Sequence, residues 1–237
     1  MSGGIGAAGG APLVAQLEGV VFDCDGVLVD SERITNRVWA ELLTELGMPT
    51  TTEQSLATYL GNSMARCLEI VGEQFGRPAP DELLPRFQAA VATALVHEVT
   101  AVPGIVSLLD GLDTARIPYA VASNGEQTKM QTTLGATGLA SRFVDRRFSS
   151  LEVGRPKPAP DVYLHAARAI GAAPARTVAV EDSPLGVQAA VAAGMVVIGY
   201  AELVDPRRLR AAGATATVEH LDEVAPLLGI PSVVSGS

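Results

Sequence analysis

The sequence predicts an α/β protein with a doubly wound parallel sheet and a small all-helical segment inserted after the first strand. From residue 100 onward, short apolar runs alternate with amphipathic helical patterns, which is typical of parallel strands covered on both faces. Several of these runs end abruptly in polar residues, as strands do at the ligand-binding edge of such sheets. The insertion is predicted because residues 32–100 show helical spacing and almost nothing that resembles a buried strand.

The first strand, around residues 20–22, ends in the sequence Asp23-Cys24-Asp25-Gly26. If the strand continued, Asp23 and Asp25 would point to the same side, because side chains alternate along a strand. Two neighbouring carboxylates repel each other unless a cation or a proton lies between them. No lysine or arginine occurs in residues 1–32, so a metal ion is one explanation. An acidic surface turn is the other.

The inserted segment contains three helical patterns, over residues 31–46, 64–75 and 81–97. Thr35 and Trp39 lie one turn apart in the first of them, so both can face whatever the first strand binds. A tryptophan at this spacing is more often part of a hydrophobic core.

The remaining elements follow in alternation. Helices are predicted at residues 105–115, around Met130 and Leu134, and at 161–170 and 184–194; strands are predicted at 117–122, 143–148, 177–180, 195–198 and 214–218.

Polar residues follow two of the later strands, Ser123 and Asn124 after one and Glu181 and Asp182 after another. Right-handed crossovers bring such strand ends to one edge of a parallel sheet. Lys157 lies in a short loop between two prolines and is one of only two lysines among 17 basic residues. Taken singly, each motif is typical of a turn, a solvated loop or a helix start. Together they indicate a ligand site.

This combination suits the hydrolysis of a phosphate monoester. Asp23 can attack phosphorus, and Asp25 can protonate the leaving oxygen and later deprotonate a water molecule. Oxygen ligands from Asp23, the Asp25 carbonyl and Asp182 suit Mg²⁺. Lys157 and the Ser123 hydroxyl can bind the phosphoryl oxygens.

Composition narrows the class of partner. The net charge of −9 argues against nucleic acid or an anionic membrane as a partner, and no apolar stretch reaches the roughly 20 residues of a membrane span. Two cysteines make no disulfide framework, so a cytoplasmic location is expected. We expect a flexible leader over residues 1–15, a flexible tail over 231–237, and a monomer or weak homodimer.

The four motifs, Asp23-x-Asp25-Gly26, Ser123-Asn124, Lys157-Pro158 and Glu181-Asp182-Ser183, resemble those of the haloacid dehalogenase-like hydrolases, over roughly residues 18–200. The resemblance implies a Rossmann-like core formed by residues 16–31 and 101–230, with a helical cap at 32–100. It also implies these roles: Asp23 as nucleophile, Asp25 as acid and base, Ser123, Asn124 and Lys157 as phosphate-binding residues, and Asp23, Asp25, Asp182 and Glu181 around Mg²⁺. The dehalogenases themselves lack the second aspartate, so Asp25 places the chain nearer the phosphatases.

Two kinds of relative remain possible within that branch. The segment around Ser123 is similar to bacterial sugar-phosphate phosphatases of the 6-phosphogluconate phosphatase type. The other is β-phosphoglucomutase, which shares Trp39 but uses a histidine at the position of Thr35, and a lysine and an arginine at those of Leu60 and Met64. A mutase needs such cations to hold a second phosphate. The expected activity is therefore hydrolysis, with phosphomutase as the alternative and a non-catalytic phosphometabolite-binding protein as a third possibility.

The cap residues Thr35, Trp39, Gly61 and Asn62 are expected to line the substrate pocket. Their polarity without a local cation favours a neutral hydroxylated body that carries one phosphate. A sugar acid would need a cation for its carboxylate, and the candidates are Arg33, Arg37 and Arg66.

Overall fold

A parallel sheet forms the centre of the protein. The computed structural model describes residues 11–231. Its strands are β1 (Gly19–Phe22), β2 (Tyr119–Ser123), β3 (Arg147–Ser149), β4 (Thr177–Glu181), β5 (Val196–Tyr200) and β6 (Ala216–Val218). They lie in the order β3-β2-β1-β4-β5-β6, and every neighbouring pair is parallel. The predicted α/β fold with a parallel sheet is confirmed.

Helices connect the strands and cover the sheet. They are α1 (Glu32–Glu45), α2 (Thr52–Tyr59), α3 (Met64–Phe75), α4 (Leu83–Glu98), α5 (Ile105–Ala115), α6 (Gln127–Ala136), α7 (Ser150–Val153), α8 (Asp161–Ala169), α9 (Pro184–Ala192), α10 (Pro206–Ala212) and α11 (Val224–Leu228). Among the described residues, no helix combines the length and the apolar character needed to cross a membrane.

The two faces of the sheet pack against different sets of helices. Val20 and Phe22 of β1 belong to a hydrophobic cluster with residues of α5 and α6. Val21, between them, belongs to a second cluster with residues of α8, α9 and α10. This alternation follows from the opposite directions of successive side chains in a strand. It is the doubly wound arrangement that the sequence predicts.

The strand order reverses beside β1. The chain crosses from β1 to β2 on one side and later reaches β4 on the other side of β1. Ligands bind open α/β sheets in the crevice outside the carboxyl ends of the strands at such a switch point. The residues that follow β1, β2 and β4 therefore meet at one edge of the sheet.

Helices α1 to α4, here called the cap helices, form the insertion after β1. Two adjacent linkers join them to the sheet. Asp30 N donates to Thr100 O at 2.9 Å and Val102 N donates to Leu28 O at 3.1 Å. The helical insertion is present as predicted, and the domain limits at residues 32 and 100 stay predictions.

Two of the differences between the structure and the sequence prediction concern helix α2 and strand β3. Helix α2 was not predicted, because only Ser55 and Tyr59 of its residues are buried and no apolar stripe marks it. Its capping box, Thr51 with Gln54, is the signal that could have identified it. The strand predicted at 143–148 is wrong in its first half: β3 begins later, and Asp145 has a φ of 57°, which interrupts an extended chain.

The chain ends are only partly described. Residues 1–10 of the predicted leader and 232–237 of the predicted tail lie outside the described residues. Leu13, within the predicted leader, donates a backbone hydrogen bond to Leu227 O at 2.9 Å and packs against the core.

Candidate active site

A cavity of about 290 Å³ lies between the carboxyl edge of the sheet and the cap helices. The residues that line it from the sheet side, at strand ends or in the following loops, are Asp23, Asp25, Ser123, Asn124, Lys157 and Asp182. The cap contributes all four of the residues expected there, Thr35, Trp39, Gly61 and Asn62. Glu181 is fully buried and lies behind the cavity wall. The structure thus brings the predicted residues together, with Glu181 in contact with Lys157 but outside the cavity lining.

Asp23 follows β1 at the floor of the cavity. Its backbone N–H donates to Val180 O at 3.0 Å, which fixes it beside the end of β4. Its Oδ1 accepts a hydrogen bond from Lys157 Nζ at 2.6 Å. Burial raises the pKa of Asp23 from 3.8 to about 7, against the opposing charge of Lys157. The Lys157 ammonium is the neighbouring cation that favours the ionised form of this carboxylate.

Asp25 is positioned by a turn, not by continuation of the strand. β1 ends at Phe22, and the chain then folds back so that Leu28 N donates to Cys24 O at 3.0 Å and Gly26 N donates to Val29 O at 2.9 Å. Gly26 has a φ of 79°, a conformation that glycine adopts without strain. The strand alternation considered for the sequence is not what aligns the two carboxylates.

Two donors hold the Asp25 carboxylate. Ser31 Oγ donates to Oδ1 at 2.7 Å, and Lys129 Nζ donates to Oδ2 at 2.8 Å. Burial alone would raise the pKa of Asp25, but the Lys129 ammonium and these hydrogen bonds lower it below the ordinary value. The pKa values of Asp23 and Asp25 are therefore displaced in opposite directions.

Lys157 is a buried cation at the centre of the site. Its Nζ lies 2.6 Å from Asp23 Oδ1 and 2.5 Å from Glu181 Oε1. Burial opposes the charge, but Asp23 and Glu181 together raise the pKa of Lys157, so it stays protonated. Asn124 Oδ1 accepts a hydrogen bond from the Lys157 backbone N–H at 2.9 Å, which anchors the loop that carries the lysine.

Both carboxylate oxygens of Glu181 are already hydrogen-bonded. Oε1 accepts from Tyr163 Oη at 2.7 Å as well as from Lys157. Oε2 accepts from the backbone N–H and the hydroxyl of Ser183 at 3.1 and 3.0 Å. Glu181 is placed to orient Lys157 and the start of α9. A Cβ at Gly186 would lie 1.7 Å from Glu181 Oε1, so only glycine permits this approach.

Ser123, at the end of β2, keeps its hydroxyl proton available. Its Oγ accepts a hydrogen bond from Gly125 N at 2.9 Å, which orients the oxygen and leaves the O–H free to donate into the cavity. This is the arrangement that binding of a phosphoryl oxygen requires.

The acidic residues fit a hard divalent cation. Asp23, Glu181 and Asp182 each offer a carboxylate oxygen, and these oxygens lie within 4.8 Å of one another. Burial, and then the charges of Asp23 and Glu181, raise the pKa of Asp182 well above its usual range. A bound cation relieves such repulsion. Gly26 makes room for this group, because a Cβ there would lie 2.0 Å from Asp182 Oδ2.

The cap side of the cavity contains Glu32, which the sequence prediction missed, and Trp39, which it included. Glu32, the first residue of α1, lines the cavity, and burial together with the charge of Asp25 raises its pKa from 4.5 to about 7. Trp39 packs edge-on against Phe87 and Tyr59, with ring centroids 4.6 and 5.7 Å away. It therefore belongs to the core as well as to the cavity wall. Within residues 11–231 its buried Nε1 has no hydrogen-bond partner.

The three arginines considered as ligands for a sugar acid are engaged elsewhere. Each forms two ion pairs: Arg33 with Asp30 and Glu202, Arg37 with Glu41 and Glu98, and Arg66 with Glu69 and Glu73. None of the three lines the cavity.

Residues 20–200 match the family model described as haloacid dehalogenase-like hydrolase. The chain belongs to this family. The resemblance inferred from the four motifs is confirmed, and in this hydrolase the matched range contains every residue predicted for the site.

Relatives of this hydrolase include named phosphatases. The 6-phosphogluconate phosphatase of Escherichia coli strain K12 is 33% identical over 188 residues, or 79% of this chain and 84% of that protein. Hexitol phosphatase A of the same strain is 34% identical over 195 residues, or 81% of this chain and 87% of that protein. A solved HAD family hydrolase from Deinococcus radiodurans, with bound phosphate and sodium, has a TM-score of 0.80 and 30% identity, and covers 91% of this chain and 96% of its own. The predicted enzyme class, a phosphatase of this family, is confirmed.

Proposed function

We propose that this protein is a Mg²⁺-dependent phosphatase that hydrolyses a small sugar or sugar-acid phosphate through an aspartyl-phosphate intermediate. The observation that carries the proposal is the contact of 2.6 Å between Lys157 Nζ and Asp23 Oδ1, in a cavity that Asp25, Ser123 and Asp182 also line. The nucleophile, the acid and base, and the groups that bind phosphate are thereby within reach of one phosphoryl group.

In the first half of the reaction, a carboxylate oxygen of Asp23 forms a bond to phosphorus in line with the ester oxygen. The bond between phosphorus and the ester oxygen breaks, and that oxygen keeps the electron pair. Asp25 supplies the proton that the leaving oxygen needs. Asp25 carries this proton over from the preceding turnover, in which it removes the proton from the attacking water. Lys157 and the Ser123 hydroxyl hold the other phosphoryl oxygens, with Asn124 beside them.

In the second half, water attacks the aspartyl-phosphate. Asp25 is the base that removes a proton from this water, and the lowered pKa that Lys129 and Ser31 give it favours the ionised form. Cleavage of the bond between Asp23 and phosphorus releases inorganic phosphate and restores the Asp23 carboxylate.

Asp23, Asp182 and the backbone carbonyl of Asp25 would hold Mg²⁺, whose charge offsets that of the phosphate and of the surrounding carboxylates. We assign Glu181 to the orientation of Lys157, because all of its close contacts are already made within the protein.

The test is release of inorganic phosphate from a panel of phosphorylated sugars, polyols and sugar acids, and from p-nitrophenyl phosphate. Each substrate is assayed with Mg²⁺ and with EDTA, and the intact enzyme is examined by mass spectrometry for one added phosphoryl group. We expect Mg²⁺-dependent turnover, a phosphorylated enzyme after rapid quenching, and loss of both in Asp23→Asn. The control is Asp81→Asn, which changes an exposed carboxylate remote from the cavity.

Near-normal turnover by a folded Asp23→Asn enzyme would exclude Asp23 as the nucleophile. Turnover that survives EDTA would exclude a required divalent cation. If no substrate of the panel loses phosphate, the non-catalytic phosphometabolite-binding alternative takes precedence.

Phosphomutase activity is less well supported. Thr35, Leu60 and Met64 all line the cavity, and within the described residues none of the cap residues that line it is a cation. A second phosphate would therefore lack a cationic partner on the cap side. Isomerisation of β-glucose 1-phosphate in the presence of the bisphosphate primer is the assay that would favour the mutase.

A further inference from the structure

Glu32 carries a half-buried carboxyl group that the proposed mechanism does not use. It is the first residue of α1 and lines the cavity on the cap side of Asp25. Its carboxylate forms no hydrogen bond or ion pair with any described residue, although the charges of Asp25 and Lys129 act on it. A carboxyl group in this position is available to the part of a substrate that extends from the phosphate toward the cap.

Few cations face this part of the cavity, and Lys129, which acts on Glu32, is paired with Asp25. Lys157 is the only cation among the described lining residues, and it is held by Asp23 and Glu181 at the phosphate end. Arg208 of α10 approaches the cap from outside it: its Nη2 would be 3.5 Å from a Cβ at Gly61. It is nevertheless exposed and outside the cavity lining.

The remaining polar groups suit hydroxyls. Thr35 and Asn62, which line the cavity on the cap side, are both neutral. A carboxyl group accepts a hydrogen bond from a hydroxyl in either protonation state, whereas a substrate carboxylate beside Glu32 and Asp25 would bring like charges together.

We propose that Glu32 is a specificity-determining residue that selects substrates with a neutral, hydroxylated body and rejects those that carry a carboxylate. This inference rests on the proposed phosphatase activity. The cavity size agrees with a body of one sugar or polyol, since about 290 Å³ is at the lower end of ligand sites, which span roughly 300 to 1,000 Å³. The substrate class is therefore a monosaccharide or alditol monophosphate without an acid group.

Sorbitol 6-phosphate and 6-phosphogluconate test the inference directly. Both are open six-carbon chains with a phosphate at one end, and they differ in whether the other end is a hydroxymethyl or a carboxylate. We expect wild-type kcat/KM to favour sorbitol 6-phosphate by at least about tenfold. In Glu32→Gln the ratio of the two kcat/KM values should fall by about tenfold or more, mainly through a lower KM for 6-phosphogluconate. Exposed Glu219, which forms no ion pair, provides the control Glu219→Gln, with an unchanged ratio.

The ratio separates selectivity from general damage, because a loss of folding or of metal affects both substrates equally. Equal kcat/KM for the two substrates in wild type would overturn the inference, as would an unchanged ratio in Glu32→Gln. If wild type accepts the acid and Arg208→Ala abolishes that activity, Arg208 is the ligand of a substrate carboxylate and the inference is wrong. Turnover of p-nitrophenyl phosphate by the same wild-type preparation shows whether the phosphatase activity itself holds.

Discussion

Lys129 Nζ donates a hydrogen bond to Asp25 Oδ2 at 2.8 Å and so joins α6 to the turn after β1. Ser31 Oγ holds the other carboxylate oxygen at 2.7 Å. The two lysines of the chain are thus divided between the two aspartates, with Lys157 on Asp23 and Lys129 on Asp25. Asp25 is oriented by two donors from separate parts of the fold, which makes Lys129 a positioning residue for the proposed acid and base.

Lys129→Met should slow turnover by about 10- to 100-fold, because Asp25 loses the donor that orients it. The loss should be larger for a sugar phosphate than for p-nitrophenyl phosphate, whose leaving group needs little protonation. Lys129→Arg should restore part of the activity, and the exposed neighbour Thr128→Ala is the control. Equal losses for the two substrates would mean that Lys129 acts only on structure.

Asp182→Asn should raise the Mg²⁺ concentration needed for half-maximal activity by about tenfold or more, because one carboxylate ligand is lost. Glu181→Gln should leave this concentration nearly unchanged and lower kcat instead, because Lys157 loses a charged partner. Mg²⁺ titrations of the two variants at a fixed, saturating substrate concentration make the comparison. A similar shift in both would place Glu181 among the metal ligands.

Glu32→Gln should stabilise the metal-free protein at high pH. The pKa of Glu32 is raised from 4.5 to about 7 in the folded state, so the folded protein keeps a proton that the unfolded chain releases between these values. The stability of the wild type therefore falls as pH rises through this window. We expect the variant to gain about 1 to 3 kcal/mol over wild type at about pH 8 and little at about pH 5. Urea unfolding in EDTA measures the difference, with Glu219→Gln as control.

Gly26→Ala should lower activity by about 100-fold or more, since an added Cβ displaces Asp182 and the local backbone has a positive φ. The strained backbone should also cost about 1 to 2 kcal/mol of stability. Gly135→Ala is the matched control, because nothing lies within 4 Å of the added atom and alanine favours the helix by about 0.5 kcal/mol or more. Phosphate release measures the loss of activity in both variants, and thermal unfolding measures the change in stability. An active Gly26→Ala enzyme would mean that the proposed place of Asp182 is wrong.

The strand-end residues could be predicted from the sequence because each is a local pattern. Asp23 and Asp25 follow one apolar run, Ser123 and Asp182 follow two others, and parallel topology brings such ends to one edge. Lys157 was recognisable because lysine is rare in this chain. These residues line one cavity in the structure.

The partners of these residues could not be predicted, because they are set by contacts distant in sequence. Lys129 and Asp25 are 104 residues apart, and Arg33 and Glu202 are 169 residues apart. No local pattern indicates whether an arginine will face the cavity or pair with a carboxylate on the surface. Glu32 was missed for a related reason: an acidic residue at the start of a helix is usually explained by the helix dipole alone.

Val29 connects two parts of the molecule that have been described separately. It forms an isolated bridge with Asp25 in the turn after β1, and a second one with Ala101 in the linker that returns from the cap helices. The linker to the cap helices and the support of Asp25 are consequently one stretch of paired backbone. A substitution that disturbs Val29 should therefore affect the position of Asp25 as well as the attachment of the cap helices.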